Sequence, residues 1–227
     1  MTTPLMIFAA GFGTRMGALT QDRPKPLIPV AGRSLIDHTL DLAWAIQPEQ
    51  IVVNTHYKAA MLETHLAPRG VQISRETPDI LDTGGGLRAA LPKLGSSPVL
   101  TSNSDAIWHG PNPFELVQDH WDAGRMEALM LCVPLERCIG REAPGDVSLT
   151  QNGQVRFGGD YVFGGVQMIQ TQRVGACSDR VFSLKSVWED MAADGTLCGL
   201  VYPGWWCDVG HPDGLAKAER LVMHGPD

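Results

Sequence analysis

The chain has 227 residues, 44% of them hydrophobic and 19% charged, with a formal net charge of -7. That size suits one domain able to bury an ordinary core, and the composition excludes a disordered chain, a collagen repeat and a disulfide scaffold. The acidic balance argues against a nucleic-acid partner, which usually meets a basic patch. Lysine is scarce: Lys25, Lys58, Lys93, Lys185 and Lys217 are the only five.

Short apolar runs alternate with helical patterns over the first 135 residues. Leu5–Ala10 reads as a buried strand and Leu35–Ile46 as a helix capped by Ser34, with Asp37 three residues later. Ile51–Asn54, Val71–Ser74, Val99–Thr101 and Glu127–Val133 read as further strands. Helices are expected near Ala59–Leu66, at Gly86–Leu91 and at Pro113–Ala123. Continuous apolar strands separated by amphipathic helices imply βαβ units and a mostly parallel, Rossmann-like sheet with helices on both faces.

After Pro134 the texture changes. Gly140–Gly165 is Gly-rich, with short alternating pieces at Val147–Leu149, Val155–Phe157 and Tyr161–Val166, so a small antiparallel β lobe is expected there. Leu184–Ala193 predicts a helix, Leu200–Tyr202 a strand, and Pro212–His224 a terminal helix with Pro in its first turn. No repeat or linker interrupts the chain, which reads as a single α/β domain.

Cys132, Cys138, Cys177, Cys198 and Cys207 are odd in number, widely spaced and free of any C-x-x-C pair. That suits reduced thiols in a cytoplasmic protein better than disulfides or a zinc site. The N-terminal apolar run is six residues long without a basic flank, too short for a signal segment or a membrane span, and nothing later reaches spanning length.

The stretch Ala9-Ala10-Gly11-Phe12-Gly13-Thr14-Arg15-Met16 leaves the first strand. Glycines permit close backbone approaches, and successive N–H groups can form an anion-binding concavity. A dinucleotide fingerprint needs a third small residue where Met16 stands, and no Walker pattern occurs because Ala18 follows Gly17. Further on, Arg23-Pro24-Lys25-Pro26-Leu27 predicts an extended, stiff backbone holding Lys25.

Together, Gly11-x-Gly13-Thr14-Arg15-Met16, Pro24-Lys25-Pro26 and Val30-Ala31-Gly32-Arg33-Ser34-Leu35-Ile36 closely resemble the signature of the sugar-1-phosphate nucleotidyltransferases. The resemblance implies a nucleoside triphosphate lying over the loop of Ala9, Ala10, Gly11, Gly13 and Thr14. Arg15 would bind the β- and γ-phosphates and Lys25 the α-phosphate, both as catalytic groups. The partners implied are an NTP and a sugar 1-phosphate, with no nucleic acid and no membrane, in a monomer or small homo-oligomer.

Two aspartates follow predicted strands: Asp105 in Asn103-Ser104-Asp105 and Asp208 in Trp206-Cys207-Asp208-Val209-Gly210. Carboxylates beyond the carboxyl ends of strands can converge on one crevice, although each can equally be a turn residue. The first resembles the family's Asn-Gly-Asp metal motif with Ser104 in place of Gly, and the second its Trp-x-Asp-Val-Gly. The resemblance implies that both hold Mg²⁺, which commonly takes one or two carboxylates plus phosphate oxygens.

Ile80-Leu81-Asp82-Thr83-Gly84-Gly85-Gly86 reads as a flexible loop before a helix. In the resembling family this segment runs along the nucleobase, which makes Thr83 and Gly84 nucleotide-binding candidates; Ile80 stands where many pyrimidine-specific members carry Gln. Asn54-x-His56, the Leu81–Gly86 segment, Gly145-Asp146 and Phe182-Ser183-Leu184 follow the order of the branch that transfers uridylyl groups to N-acetylmuramate α-1-phosphate, with guanylyl transfer to mannose 1-phosphate as the alternative. In the lobe, a Glu-Lys pair common in larger relatives is replaced by Phe157-Gly158-Gly159-Asp160. Gly145, Asp146, Gly164 and Gly165 are the candidates for the sugar side, and a hairpin-turn role competes for each glycine. His56 and Trp206 read as packing residues, and Lys185 as solvent-facing.

The implied division is a nucleotide-binding part over about 1–135, a sugar-binding lobe over about 136–200 and the second metal motif at 205–210. A phosphate nucleophile is already largely ionised near pH 7, so no general base is required and no Ser-His-Asp arrangement is visible. A catalytically silent nucleotide-binding subunit is the alternative of another class; the intact set Arg15, Lys25, Asp105 and Asp208 counts against it.

Overall fold

Strand β1 (Leu5–Phe8) shows why the sheet lies between two helical layers. Its residues point alternately to opposite faces. Leu5 and Ile7 enter a core shared with Ile36, Leu40, Leu62, Leu66 and Phe114, while Met6 enters a second core with Leu87, Leu94, Leu184 and Met191. Strand β4 (Ile51–Thr55) repeats the division, with Ile51 and Val53 on one side and Val52 on the other. Apolar residues at successive positions, as in Leu5–Phe8 and Ile51–Val53, suit burial on both faces. This computed structural model describes residues 2–95, 97–141 and 144–226; residues 142 and 143 of the expected Gly-rich lobe lie outside them.

In chain order the short hairpin β2 (Pro29–Val30) and β3 (Arg33–Ser34) follows β1 and leads into helix α1 (Leu35–Ala45). The Ser34 hydroxyl caps α1, accepting from Asp37 N–H at 3.3 Å. After β4 come α2 (Ala59–Leu66), β5 (Gln72–Arg75), α3 (Asp82–Leu94), β6 (Val99–Asn103), β7 (Ala106–His109), α4 (Pro113–Asp119) and β8 (Ala128–Pro134). The remainder is β9 (Cys138–Ile139), β10 (Gly145–Leu149), β11 (Val155–Gly159), β12 (Tyr161–Ile169), α5 (Gln172–Ala176), α6 (Leu184–Ala193), β13 (Leu197–Val201), β14 (Trp205–Asp208) and α7 (Pro212–His224).

The nine-stranded sheet has the order β11-β10-β12-β6-β1-β4-β5, with β8 on β12 and β13 on β8. Its β6-β1-β4-β5 part is entirely parallel, as is the β8–β13 pair; β12 runs antiparallel to β6 and β8. Helices α1, α2 and α4 cover one face and α3, α5 and α6 the other. The antiparallel strands expected as a lobe extend this sheet, because β12 is nine residues long and reaches from the hairpin into the parallel centre. A small separate sheet, β7-β14-β9, packs under α7 through Ile107, Cys207, Val209, Ala218 and Leu221.

Two expectations change. Helix α3 begins at Asp82, so the three glycines lie inside it rather than in a flexible loop. Gly84 and Gly85 N–H groups both donate to Phe182 O, at 2.9 and 3.0 Å, and a Cβ on Gly84 would stand 2.4 Å from the Phe182 ring. Tertiary packing, not local propensity, keeps this turn helical. The late strand is Leu197–Val201 rather than Leu200–Tyr202, set by parallel pairing of Leu197 with Ala128 through Val201 with Cys132.

Candidate active site

Strand β1 pairs with β4 on one side and β6 on the other, so the chain leaves β1 in one direction and returns beside it from the opposite one. The crevice beyond the carboxyl ends of two such strands is where open α/β sheets receive ligands. A cavity of about 340 Å³ opens there, lined by the loop after β1, the end of β6 and the start of α3. Ala9, Ala10, Gly11, Gly13, Thr14, Arg15, Lys25, Thr83 and Asp105 all contribute to its wall. Nine candidates named from the sequence therefore meet in one place.

Gly13 adopts φ +64, a left-handed conformation that favours glycine, and a Cβ there would stand 2.9 Å from Thr20 Cγ2 and 3.0 Å from Lys25 Cβ. The loop thus closes tightly onto the lysine. The Thr20 hydroxyl donates to Gly13 O at 3.2 Å, and Tyr57 donates to Thr20 O at 3.0 Å. Lys25 opens a single 3-10 turn, Lys25–Leu27, after an extended Pro24, a tighter path than the extended backbone expected. Its stem is buried and its ammonium lies 2.6 Å from Asp105 Oδ2.

Asp105 and Asp208 are joined through backbone. Strand β14 pairs antiparallel with β7 so that Asp208 faces Ala106, and Val209 N–H donates to Asp105 O at 3.1 Å. Ser104 has a use that glycine lacks: its buried hydroxyl donates to Phe8 O at 2.7 Å, tying the end of β6 to the end of β1. Burial first, and then the charge of Asp105, push the Asp208 carboxyl above its usual range, against the opposing charges of Lys25, Arg15 and Arg141. Among the described residues no group of three or more His, Cys, Asp or Glu gathers as a metal cage. A carboxylate on the cavity wall, Asp105, with a second, Asp208, close enough to feel its charge, suits a hard cation that completes its shell with phosphate oxygens and water. Gly210 rather than Asp208 forms the cavity wall there, and a Cβ on it would come within 2.9 Å of Asp208 Oδ2.

Gly84 sits behind the cavity, packed under Phe182. The four sugar-side candidates stand beyond the cavity wall. Asp146 forms an ion pair with Arg141 and accepts from Phe163 N–H at 3.1 Å. Gly145 is enclosed by the carbonyls of Tyr161 and Gly159. Gly164 O accepts from the Trp206 indole at 3.0 Å, and Gly165, at φ +91 in an irregularity of β12, packs against Asn103, itself a cavity residue. His56 stacks edge-on with Phe12, and Lys185 pairs on the surface with Glu189, the packing and solvent-facing roles expected.

Two further carboxylates line the cavity: Asp82, from within the Ile80–Gly86 segment, and Glu76, which no sequence motif marks. Asp82 lies at φ +60 at the start of α3. Glu76 is a carboxylate only 2% exposed that reaches Asn54 Nδ2 and Leu81 N–H, each at 2.7 Å. Nothing in the hydrophobic periodicity marks a charged residue just past a strand as buried.

The profile of the MobA-like NTP transferase domain matches residues 5–147. The N-acetylmuramate alpha-1-phosphate uridylyltransferase of Caulobacter vibrioides is 41% identical over 232 residues, covering 96% of each chain. Mannose-1-phosphate guanylyltransferase 1 of Arabidopsis thaliana is 26% identical over 96% of this chain, which spans 64% of that protein's length. The crystal structure of HddC from Yersinia pseudotuberculosis complexed with GMP-PN superposes with a TM-score of 0.78 over 98% of this chain and 100% of that one, at 18% identity, a likeness of fold. Among the described residues no helix is long and apolar enough to cross a membrane.

Proposed function

The chain belongs to the family of MobA-like NTP transferase domains and is a nucleotidyltransferase, and from that premise we propose that it transfers a uridylyl group from UTP to N-acetylmuramate α-1-phosphate. The observation that supports this choice of substrates is the 41% identity to the Caulobacter uridylyltransferase along nearly the whole of both chains. In the reaction an oxygen of the sugar phosphate attacks the α-phosphorus of UTP. A new P–O bond forms as the bond to the β-phosphate breaks, and pyrophosphate leaves.

Positioning and charge neutralisation carry such a step. With the Ala9 N–H taken by Asn54 Oδ1, the N–H groups of the loop from Ala10 to Thr14 face the triphosphate, and Arg15 meets the β- and γ-phosphates. An ammonium has three donors, so Lys25 can keep its ion pair with Asp105 while offering another N–H to the α-phosphate. Asp105 and Asp208 are the pair that would hold Mg²⁺, which when bound lowers the negative charge facing the nucleophile. Thr83 faces the base side. In this reading residues of about 1–135 hold the nucleotide, and the segment of about 136–200, with Gly145, Asp146, Gly164 and Gly165, frames the sugar. The free thiols accord with a reducing cytoplasm.

The test is a turnover matrix of UTP, GTP, CTP, TTP and ATP against the 1-phosphates of N-acetylmuramate, mannose and glucosamine. UTP with N-acetylmuramate 1-phosphate is expected to be fastest. Faster turnover of GTP with mannose 1-phosphate would overturn the choice of substrates and favour the guanylyl alternative.

A further inference from the structure

Behind the cavity a line of three hydrogen bonds joins the two loops that enclose it. Ala9 N–H, in the loop after β1, donates to Asn54 Oδ1; Asn54 Nδ2 donates to Glu76 Oε1; and Leu81 N–H, at the start of α3, donates to Glu76 Oε2, each at 2.7 Å. Asn54 is 3% exposed and Glu76 2%, and both reach the cavity wall. Glu76 is anchored in turn by its backbone, whose N–H donates to Thr55 O at 2.8 Å.

We propose that Asn54 and Glu76 are a matched positioning pair that sets the spacing between the phosphate-side loop and the base-side loop, and through it the affinity for the nucleoside triphosphate. The inference rests on the nucleotidyltransferase reading. The polarity of the line carries the argument. Both ends are backbone N–H groups, which can only donate. Two side chains between two fixed donors must therefore present an acceptor at each end and contribute one donor to the bond between them. Asn with Glu satisfies this, and so does Asp with Gln in the reverse order. Asn with Gln places two donors face to face or leaves an end unpaired, and Asp with Glu places two carboxylates together. A buried polar group left without its partner is costly, so either mismatch moves a loop.

The experiment compares Asn54→Asp, Glu76→Gln and the double exchange N54D/E76Q, using whichever triphosphate the wild-type enzyme turns over best. Each single variant is expected to raise the KM for the triphosphate by at least ~10-fold, with the KM for the sugar phosphate changing less than ~3-fold. The double exchange is expected to return the triphosphate KM to within ~3-fold of wild type, because the contacts couple. A pair that served stability alone would shift the melting temperature and leave the KM of the folded fraction unchanged. Gly86→Ala supplies a second probe should the single variants fail to fold: its Cβ would stand 2.7 Å from Glu76 Oε1 and 3.0 Å from Asn54 Nδ2, while alanine favours the helix. It too is expected to raise the triphosphate KM. The proposal is overturned if the folded single variants keep the wild-type triphosphate KM, if the double exchange is as impaired as the worse single variant, or if Gly86→Ala leaves that KM unchanged. A wrong substrate assignment would show separately, in the preference of the unaltered enzyme.

Discussion

Lys25 Nζ lies 2.6 Å from Asp105 Oδ2, an ion pair between residues 80 apart in the chain. It joins the segment that follows the glycine loop to the end of β6, so phosphate-binding and metal-binding candidates share one contact. Lys25→Met and Asp105→Asn are each expected to lower kcat by at least ~10²-fold, the scale of losing one transition-state contact. Steady-state pyrophosphate release measures it. A folded variant of either kind with near wild-type turnover would remove that residue from the chemistry.

Gly13→Ala tests the closure of the loop onto Lys25. The left-handed backbone at φ +64 alone costs a substituted residue roughly 1–2 kcal/mol, and the new methyl group also presses on Thr20 and Lys25. Urea unfolding is expected to show a loss of that size or more, accompanied by a raised KM for the triphosphate. Unchanged values for both would mean that the loop has room to spare.

Away from the site, Arg173 Nε donates to Glu127 Oε1 at 3.0 Å and a terminal guanidinium nitrogen reaches Asp194 Oδ2 at 2.7 Å, holding α5 against the start of β8 and the end of α6. Hydrogen bonding to Arg173 holds the Glu127 carboxyl below its ordinary 4.5, although burial opposes it. A carboxylate whose folded value is depressed adds stability above its unfolded value, and that stability is lost as pH falls through the folded one. Arg173→Gln is therefore expected to cost about 1 kcal/mol or less near pH 7. The gap from wild type should narrow below about pH 4. Thermal melts across pH decide it; a gap independent of pH would rule out the ion pair as its source.

Burial pushes the thiols of Cys132, Cys138 and Cys207 up to about 12. Alkylation proceeds through the thiolate. The native protein is expected to take up iodoacetamide at none of these three positions at pH 8, and at all of them in denaturant. Peptide mass mapping reads the result directly, and labelling of native Cys132 or Cys207 would contradict the burial described.

Much of the fold was legible because burial on both faces leaves runs such as Leu5–Phe8 and Ile51–Val53 apolar at every position, and because α1 and α7 carry local start signals in Ser34 and Pro212. The glycine run of α3 misled, since its helix depends on Phe182, a residue about a hundred positions away. The short strands β7 and β9 escaped notice for a related reason: they exist by pairing with β14. At the site, motif residues stood out because phosphate chemistry needs charges and open backbone at fixed spacings. Glu76 stayed hidden because its role lies in geometry between loops, which no local pattern encodes.

The separate sheet has a consequence for how the two carboxylates are brought together. Every strand of the nine-stranded sheet is complete by Val201, yet Asp208 belongs to β14, which follows them all. The parallel centre, the glycine loop and Asp105 thus all precede Asp208 in the chain, and none of them pairs with the strand that carries it except through β7. In the proposed reading the two carboxylates come together only where β14 lies between β7 and β9, so the metal pair depends on a pairing that the nine-stranded sheet does not itself supply.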